Sequence, residues 1–361
     1  MANSDEGQGA TIYEVAQRAG VSIATVSRAL RNTGPVSAGT REKVLRAVEE
    51  LSFTPSRLGV SLAQGRHAAN GIVFPDLSGP YFAEVLLGYE EVASELGRSV
   101  LILSTRGRAA VQDLVRDLVG RVDGMVIFGR TVEDAVVDEI VRSRTPLVLL
   151  ARAPVERADA VCSENTASAE ALTAHLLGHG YSTFAMAGDD DGGDVTQRWT
   201  GVRRVLSDHG IRPPEPLPCE FTVEGGYEAG RTLLAGKAGK AGKAGRAGKA
   251  GGAGRAGGAG RPQAVICADD QVALGVILAA EELGLDVPGD VAVTGWDDIM
   301  AARHARPALT TVRQPMRLLG ASAARALDEL IRGTRTVPKS EILPTQLIVR
   351  SSCGPHPLEE K

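Results

Sequence analysis

Residues 11–30 read TIYEVAQRAGVSIATVSRAL and predict two short helices joined by a tight turn. Thr11, followed by Glu14 three residues later, forms a capping box that marks the start of the first helix. Gly20 ends that helix, because glycine readily takes the left-handed conformation of a C-cap, and Ser22 begins the next helix. This spacing is typical of a helix-turn-helix unit.

The second helix turns a slim face away from the apolar stripe through which it packs. That face is formed by Ile23, Ala24, Ser27 and Arg28. A DNA major groove admits a helix only when its leading face is slim, and arginine is the best bidentate reader of guanine. Thr25 and Ser27 carry hydroxyl groups that suit phosphate contacts. The pattern predicts a DNA-reading helix, and a three-helix cap that only packs is the alternative.

Composition restricts any attraction for nucleic acid to local patches. The 361-residue chain has a formal net charge of −4 and 43% apolar residues, so it is globular and not a polycation. Residues 11–66 nevertheless hold eight Lys or Arg against four Asp or Glu. Residues 235–261 form nine A-G-x triplets with seven basic residues, and we expect them to be an insert in a helix-to-strand loop. A neutral repeat expansion is the favoured interpretation of this insert, with nonspecific attraction to DNA as the alternative.

From residue 67 onward the chain alternates short apolar runs with amphipathic stretches. Runs such as GIVFP at 71–75 and AVICA at 264–268 predict strands, and stretches such as 83–97 predict helices. Continuous apolar strands separated by helices imply parallel sheets covered on both faces. The predicted fold class is therefore α/β: a small all-α helix-turn-helix headpiece, then a doubly wound parallel-sheet core.

Polar or aromatic side chains follow several of the predicted strands. Because ligands of doubly wound folds bind at the carboxyl ends of strands, we expect these side chains to line a binding site. Carboxylates accept hydrogen bonds from ligand hydroxyls, an arginine donates a fork, and an indole covers an apolar ligand face. Helix N-caps are the alternative for the acids and core packing for the tryptophans. The predicted binding residues are Asp76, Phe82, Arg152, Arg198, Trp199, Asp269, Trp296 and Asp297.

The sequence indicates neither a metal site nor a cofactor. The four cysteines form no C-x-x-C pair, the six histidines show no obvious ligand spacing, and DDDGGD at 189–194 misses the calcium-loop pattern. Walker A, G-x-S-x-G and HExxH motifs are absent, so we expect no enzyme, with a glycosidase carboxylate pair as the alternative. The N-terminus lacks a signal-peptide pattern and no run of about 18 apolar residues occurs, so a cytoplasmic protein without membrane contact is expected.

Motifs in both halves resemble the LacI/GalR family of bacterial transcription regulators. The headpiece resemblance rests on residues 11–30 and on V-S-x-x-T-R-E-K-V at 36–44. The core resemblance rests on motifs that include PDLSGPYF at 75–82 and VPGDVAVTGWDD at 287–298. The resemblance implies a fold like that of periplasmic sugar-binding proteins, in which Arg198 and Asp297 hold effector hydroxyls.

The family resemblance also implies particular DNA contacts. Ile23, Ala24 and Arg28 would face base edges in the major groove, and Leu62 would wedge into the minor groove from a hinge segment. The residues near phosphates would be Tyr13, Thr25, Ser27, Ser37 and Thr40.

The resemblance implies a homodimeric repressor that binds double-stranded operator DNA and responds to a small mono- or oligosaccharide. A free sugar-binding protein and a repressor with a non-sugar effector are the alternatives. Within the core, the first subdomain is predicted at 68–162 and 312–334, and the second at 163–311 and 335–351. The predicted divisions of the whole chain are a disordered N-terminus at 1–10, the headpiece at 11–54, the hinge at 55–66, the effector domain at 67–351 and a flexible tail at 352–361.

Overall fold

The computed structural model describes residues 10–31, 34–53, 67–190, 193–235, 260–335 and 337–354. The chain divides into two compact units, Met1–Ala68 and Ala69–Lys361. Leu62 and the rest of the predicted hinge lie outside the described residues, as do nearly all of the A-G-x insert and most of both predicted tails.

The described part of the first unit contains three helices, α1 (Ile12–Ala19), α2 (Ile23–Arg31) and α3 (Ala38–Glu50). The predicted capping box is present, because Thr11 N donates to Glu14 Oε2 at 2.6 Å while Glu14 N donates to Thr11 Oγ1 at 3.4 Å. All three helices contribute apolar side chains to one small core. Its buried members are Val15, Ala16, Val26, Ala29, Val44, Ala47 and Phe53.

The first sheet of the second unit has six parallel strands among the described residues. They are β1 (Ala69–Phe74), β2 (Ser99–Ser104), β3 (Gly124–Phe128), β4 (Leu147–Leu150), β5 (Asp159–Ser163) and β11 (Ser340–Leu343), in the order β11-β5-β4-β3-β1-β2. Separate apolar clusters cover its two faces. The helices of this sheet are α4 (Pro80–Glu95), α5 (Val111–Val119), α6 (Asp134–Arg142) and α12 (Met316–Arg332).

The second sheet has four parallel strands in the described part of the chain and again carries an apolar cluster on each face. Its strands are β6 (Phe184–Ala187), β7 (Pro216–Leu217), β8 (Ala264–Cys267) and β9 (Ala292–Thr294), in the order β7-β6-β8-β9. The remaining helices are α7 (Thr166–Gly178), α8 (Asp194–Asp208), α9 (Val223–Leu234), α10 (Asp270–Glu282) and α11 (Met300–His304), followed by a 3-10 helix (Ser351–Cys353). β10 (Thr311–Arg313) pairs antiparallel with β12 (Gln346–Ile348). The predicted α/β class is confirmed.

One subdomain boundary differs from the prediction. The sequence division assigns all of 335–351 to the second subdomain, but β11 pairs with β5 in the first sheet, with Ser340 opposite Ala160 and Leu343 opposite Ser163. β11 covers the edge of β5, whose backbone groups would otherwise lack partners. The return crossing therefore follows Leu343, where Glu164 N donates to the Leu343 carbonyl oxygen at 2.8 Å.

Helices α4 and α12 approach each other closely through two glycines. A Cβ added to Gly88 would overlap the carbonyl oxygen of Arg317, and one added to Gly320 would overlap that of Val85. Both positions need glycine, because the backbone of the other helix occupies the space that a side chain would fill.

We expect Gly88→Ala to lower the free energy of unfolding by about 1–3 kcal/mol, because an overpacked helix contact forces the backbone apart. Gly178→Ala is the matched control: its Cβ would meet no atom within 4 Å, and alanine there favours the helix by up to about 1 kcal/mol. Urea unfolding of both variants measures the difference. Wild-type stability in Gly88→Ala would contradict the tight contact.

Candidate functional sites

The predicted base-reading side chains lie on the surface of α2. Ile23 is 37% exposed, and Ala24 and Arg28 are also exposed. Arg28 Nε donates to the Ala24 carbonyl oxygen at 3.1 Å, so its aliphatic stem lies along the helix. The opposite face of α2 packs into the headpiece core through Val26 and Ala29. The exposed face therefore combines two apolar side chains, Ile23 and Ala24, with one long cation.

Hydroxyl groups gather at the starts of α2 and α3. Ser22 Oγ lies 2.9 Å from Thr25 Oγ1 and accepts from Thr25 N at 3.2 Å. Ser37 and Thr40 repeat the arrangement at α3, with distances of 2.8 and 3.2 Å. A helix N-terminus favours anions, so both starts suit phosphate groups. Ser22 belongs to this group of hydroxyls, although it is not among the predicted phosphate contacts.

The other two predicted phosphate contacts differ in exposure. Tyr13 on α1 is 70% exposed, whereas Ser27 on α2 is half-buried. A phenol so exposed has its hydroxyl in solvent, where it can donate to a phosphate oxygen.

A cavity of 310 Å³ lies in the second unit at the carboxyl ends of strands from both large sheets. Pro75, Gly129 and Ala151 follow strands of the first sheet, and Ala268 follows β8 of the second. This is the position at which doubly wound folds bind ligands. Of the eight predicted binding residues, four line the cavity: Phe82, Arg198, Asp269 and Asp297.

Arg198 is a buried cation held on three sides. Its Nε donates to Asn165 Oδ1 at 2.9 Å, and Nη1 donates to the Ala268 carbonyl oxygen at 2.7 Å. The guanidinium carbon lies 4.6 Å from the centroid of the Trp296 ring, which adds a cation–π contact. The guanidinium is thereby fixed in one orientation at the cavity wall.

Carboxyl groups surround this cation, and burial changes their protonation. Burial raises the pKa of Asp297 to about 7, although the Arg198 guanidinium opposes the shift. Burial also raises the pKa of Asp269 to about 6. Asp297 Oδ1 accepts from Gln314 Nε2 at 2.6 Å, and Asp269 caps α10. Near neutral pH, both carboxyl groups are close to their pKa and are able to accept or donate a hydrogen bond.

Asp297 and Asp298 adopt consecutive left-handed backbone conformations, with φ of 109° and 59°. Non-glycine residues there are strained, so the surroundings must stabilise them. Asp298 is buried and accepts from Arg303 at 3.1 Å, Arg313 at 2.7 Å and Arg350 at 2.5 Å. Burial by itself would raise the pKa of Asp298, but hydrogen bonds from Arg350 and Arg313 lower it overall. This anchored carboxylate holds the strained pair in place.

Four predicted binding residues do not line the cavity. Asp76 accepts from Ser78 N at 2.5 Å and from Arg106 Nη1 at 2.6 Å. The guanidinium of Arg152 turns toward the Val132 carbonyl oxygen, at 3.3 Å, and toward Asp134. A polar side chain that follows a strand can form hydrogen bonds or ion pairs with nearby groups instead of facing the cavity. The sequence pattern does not show which of these partners it takes.

The two tryptophans are core residues, which was the alternative interpretation. Trp199 is 1% exposed and packs in an apolar cluster of the second sheet. Trp296 is buried in the same cluster but also lies beneath the Arg198 guanidinium. Trp296 therefore positions a cavity residue without lining the cavity itself.

Several cavity residues were missing from the sequence prediction. Tyr81 and Phe128 form an aromatic wall with Phe82, with ring centroids 5.2 to 5.8 Å apart. Asp194, at the start of α8, and Gln314, next to β10, add polar groups to the cavity lining. Phe128 is the last residue of β3, and Asp194 belongs to the DDDGGD run that follows β6. Both residues therefore lie at or beyond the end of a strand, where binding residues are expected.

The raised pKa of Asp297 predicts a dependence of stability on pH. The folded protein holds this proton more tightly than the unfolded chain, whose pKa is near the ordinary value of 3.8. The contribution is therefore fully present below pH 3.8 and is lost as the pH rises through about 7. We expect Asp297→Asn to match wild type in melting temperature at pH 4 and to exceed it at pH 8.

Asp208→Asn, at an exposed helix end, is the control for this measurement. Melting temperatures of the three proteins from pH 4 to pH 8 provide the comparison. A constant difference between Asp297→Asn and wild type over this range would contradict the shift.

Comparison with known proteins agrees with this architecture. Residues 11–56 match the profile described as bacterial regulatory proteins, lacI family. Residues 67–236 match periplasmic binding proteins and the sugar binding domain of the LacI family, and residues 173–353 match a periplasmic binding protein-like domain. In the part of the chain that is described, no helix has the length and apolar character needed to cross a membrane.

Similar proteins span nearly the whole chain. The regulator DegA of Bacillus subtilis is 31% identical over 355 residues, covering 96% of this chain and 98% of the relative. The Lac repressor dimer bound to operator and the anti-inducer ONPF is 26% identical with a TM-score of 0.80, covering 96% and 100%. The CelR–cellobiose complex is 29% identical with a TM-score of 0.67, covering 95% and 99%.

A helix-turn-helix unit followed by a two-sheet ligand-binding unit defines a DNA-binding transcription regulator and not an enzyme. The chain belongs to the LacI family of bacterial transcription regulators, which confirms the resemblance found in its sequence.

Proposed function

We propose that this protein is a homodimeric cytoplasmic repressor whose affinity for a near-palindromic operator is changed by a small carbohydrate bound in the cavity. The observation that carries the proposal is the buried Arg198 guanidinium, fixed in a cavity that also has acidic and aromatic side chains in its lining. The exposed face of α2 supplies the DNA-reading surface.

The cavity chemistry favours a sugar as the effector. Its 310 Å³ suits a small ligand, and its wall combines apolar rings with a few convergent polar groups. A pyranose has the matching character, because its C–H faces pack on aromatic rings while its hydroxyls donate to carboxylates and accept from guanidinium N–H groups. The similarity to the CelR–cellobiose complex supports the same ligand class.

The proposed DNA complex follows from symmetry and from the exposed α2 face. A two-fold dimer presents two copies of α2 to two half-sites, so its operator has matching two-fold symmetry. Similarity to the Lac repressor dimer bound to operator supports this assembly. The effector then changes operator affinity by the ratio of its own affinities for the two conformations.

We expect Arg28→Ala to cost about 1–3 kcal/mol of operator affinity and to relax base preference at one position. The operator is obtained by genomic DNA affinity capture, and fluorescence anisotropy measures binding to a panel of mutated sites. Arg46→Ala is the control, since this exposed α3 arginine pairs with Glu42 on its own helix. Unchanged binding of Arg28→Ala across the panel would refute the assignment of α2 as the reading helix.

We expect Arg198→Ala and Asp297→Ala to abolish the response to effector and to leave operator affinity unchanged, because both side chains line the cavity. A sugar panel that begins with cellobiose and ribose, titrated into the operator complex, provides the measurement. Arg152→Ala is the matched control, as this buried arginine does not line the cavity. A wild-type effector titration in both cavity variants would overturn the assignment.

A further inference from the structure

Three side chains that can ligate metals meet at the end of α7, on the second sheet. His175 lies in α7, His179 follows its last residue, and Cys353 ends the 3-10 helix near the chain terminus. Each offers one ligand atom, and the three atoms lie within 4.8 Å of one another. None of the three residues lines the effector cavity, so the cluster is separate from the site described above.

The positions of the two histidines follow from helical periodicity. Residues four apart on a helix lie on the same face, so both imidazoles project from one side of the end of α7. Their ring centroids are 4.8 Å apart. The spacing of His175 and His179 is itself a helical ligand spacing that the sequence prediction overlooked, whereas Cys353 lies far along the chain and reaches them only through the fold.

The closest pair already has a separation suited to a shared ion. Cys353 Sγ lies 3.4 Å from His175 Nε2. Tetrahedral zinc, with Zn–S near 2.3 Å and Zn–N near 2.0–2.1 Å, places such ligand atoms about 3.5 Å apart. The His179 ligand atom lies within 4.8 Å of the other two, so a shift of about 1 Å would bring it to the separation of tetrahedral zinc ligands.

The last described residues are held so that the Cys353 thiol faces the helix. Tyr181 Oη donates to the Cys353 carbonyl oxygen at 2.9 Å, and Thr310 Oγ1 lies 3.0 Å from Sγ. Gly354 has φ of 129°, and a Cβ there would lie 3.2 Å from His179 Nδ1. Cys353 itself is fully buried. The backbone at Gly354 is therefore fitted closely against the His179 imidazole.

We propose that His175, His179 and Cys353 bind a divalent transition-metal ion, with Zn²⁺ as the preferred ion and water as a fourth ligand. Imidazole and thiolate select zinc and its neighbours over calcium or magnesium, which require oxygen ligands. The bound ion would fasten the C-terminal segment to α7. Binding requires a thiolate and neutral imidazoles, so the affinity falls as the pH is lowered.

The test uses the full-length protein after removal of metal with a chelator. We expect isothermal titration with ZnCl₂ to give one ion per chain, and titration with CoCl₂ to give a thiolate-to-cobalt charge-transfer band. Zinc should also raise the melting temperature. His175→Gln and Cys353→Ser should each weaken zinc binding at least about tenfold, since even the loss of an outer-shell partner of a ligand costs about 10–100-fold, and Cys353→Ser should lose the cobalt band.

Two matched variants control for nonspecific binding. His304→Gln removes an exposed histidine and Cys219→Ser removes a half-buried thiol, and neither residue belongs to the cluster. Both controls should bind zinc as wild type does, and circular dichroism verifies that every variant is folded. The absence of a charge-transfer band in wild type, or unchanged zinc binding in both cluster variants, would show that the cluster is only a hydrogen-bonded packing contact.

Discussion

The buried guanidinium of Arg198 is the constraint on which the effector cavity depends. A charge removed from water is costly unless hydrogen bonds and opposite charges compensate it. Asn165 and the Ala268 carbonyl supply the hydrogen bonds, and the Trp296 ring supports the cation from one face. Together these contacts fix the cation at the wall of the cavity, where a ligand can reach it.

The strained pair next to this cation offers a physical route for the proposed regulation. Asp297 faces the cavity, while Asp298 binds Arg313 beside one chain crossing and Arg350 beside the C-terminal segment. Asp297 also bridges to Arg313 through the backbone. A ligand that binds Asp297 therefore acts on the neighbour of Asp298, which holds Arg313 and Arg350. A small displacement there would change the position of one sheet relative to the other.

The sequence predicted the helix-turn-helix unit, the α/β class, and the cavity residues Arg198 and Asp297. Helical and strand periodicity decide which residues are buried, so the fold was predictable, whereas Arg198 and Asp297 were predicted from their places after strands and from the family resemblance. Neither periodicity nor a place after a strand decides where a long side chain turns, which is why Arg152 and Trp199 were assigned to the wrong surroundings. β11 was missed because it is short, and the partners of Cys353 were missed because they depend on contacts far apart in sequence.

Thermodynamic linkage offers the most direct test of the account. The dissociation constant of the active panel sugar is measured for the protein alone and for the protein saturated with its captured operator. If ligand binding in the cavity is coupled to operator binding by α2, the two dissociation constants differ by roughly 5–150-fold. The same factor then separates operator affinity with and without the sugar. Equal sugar affinity in the presence and absence of operator would contradict the account.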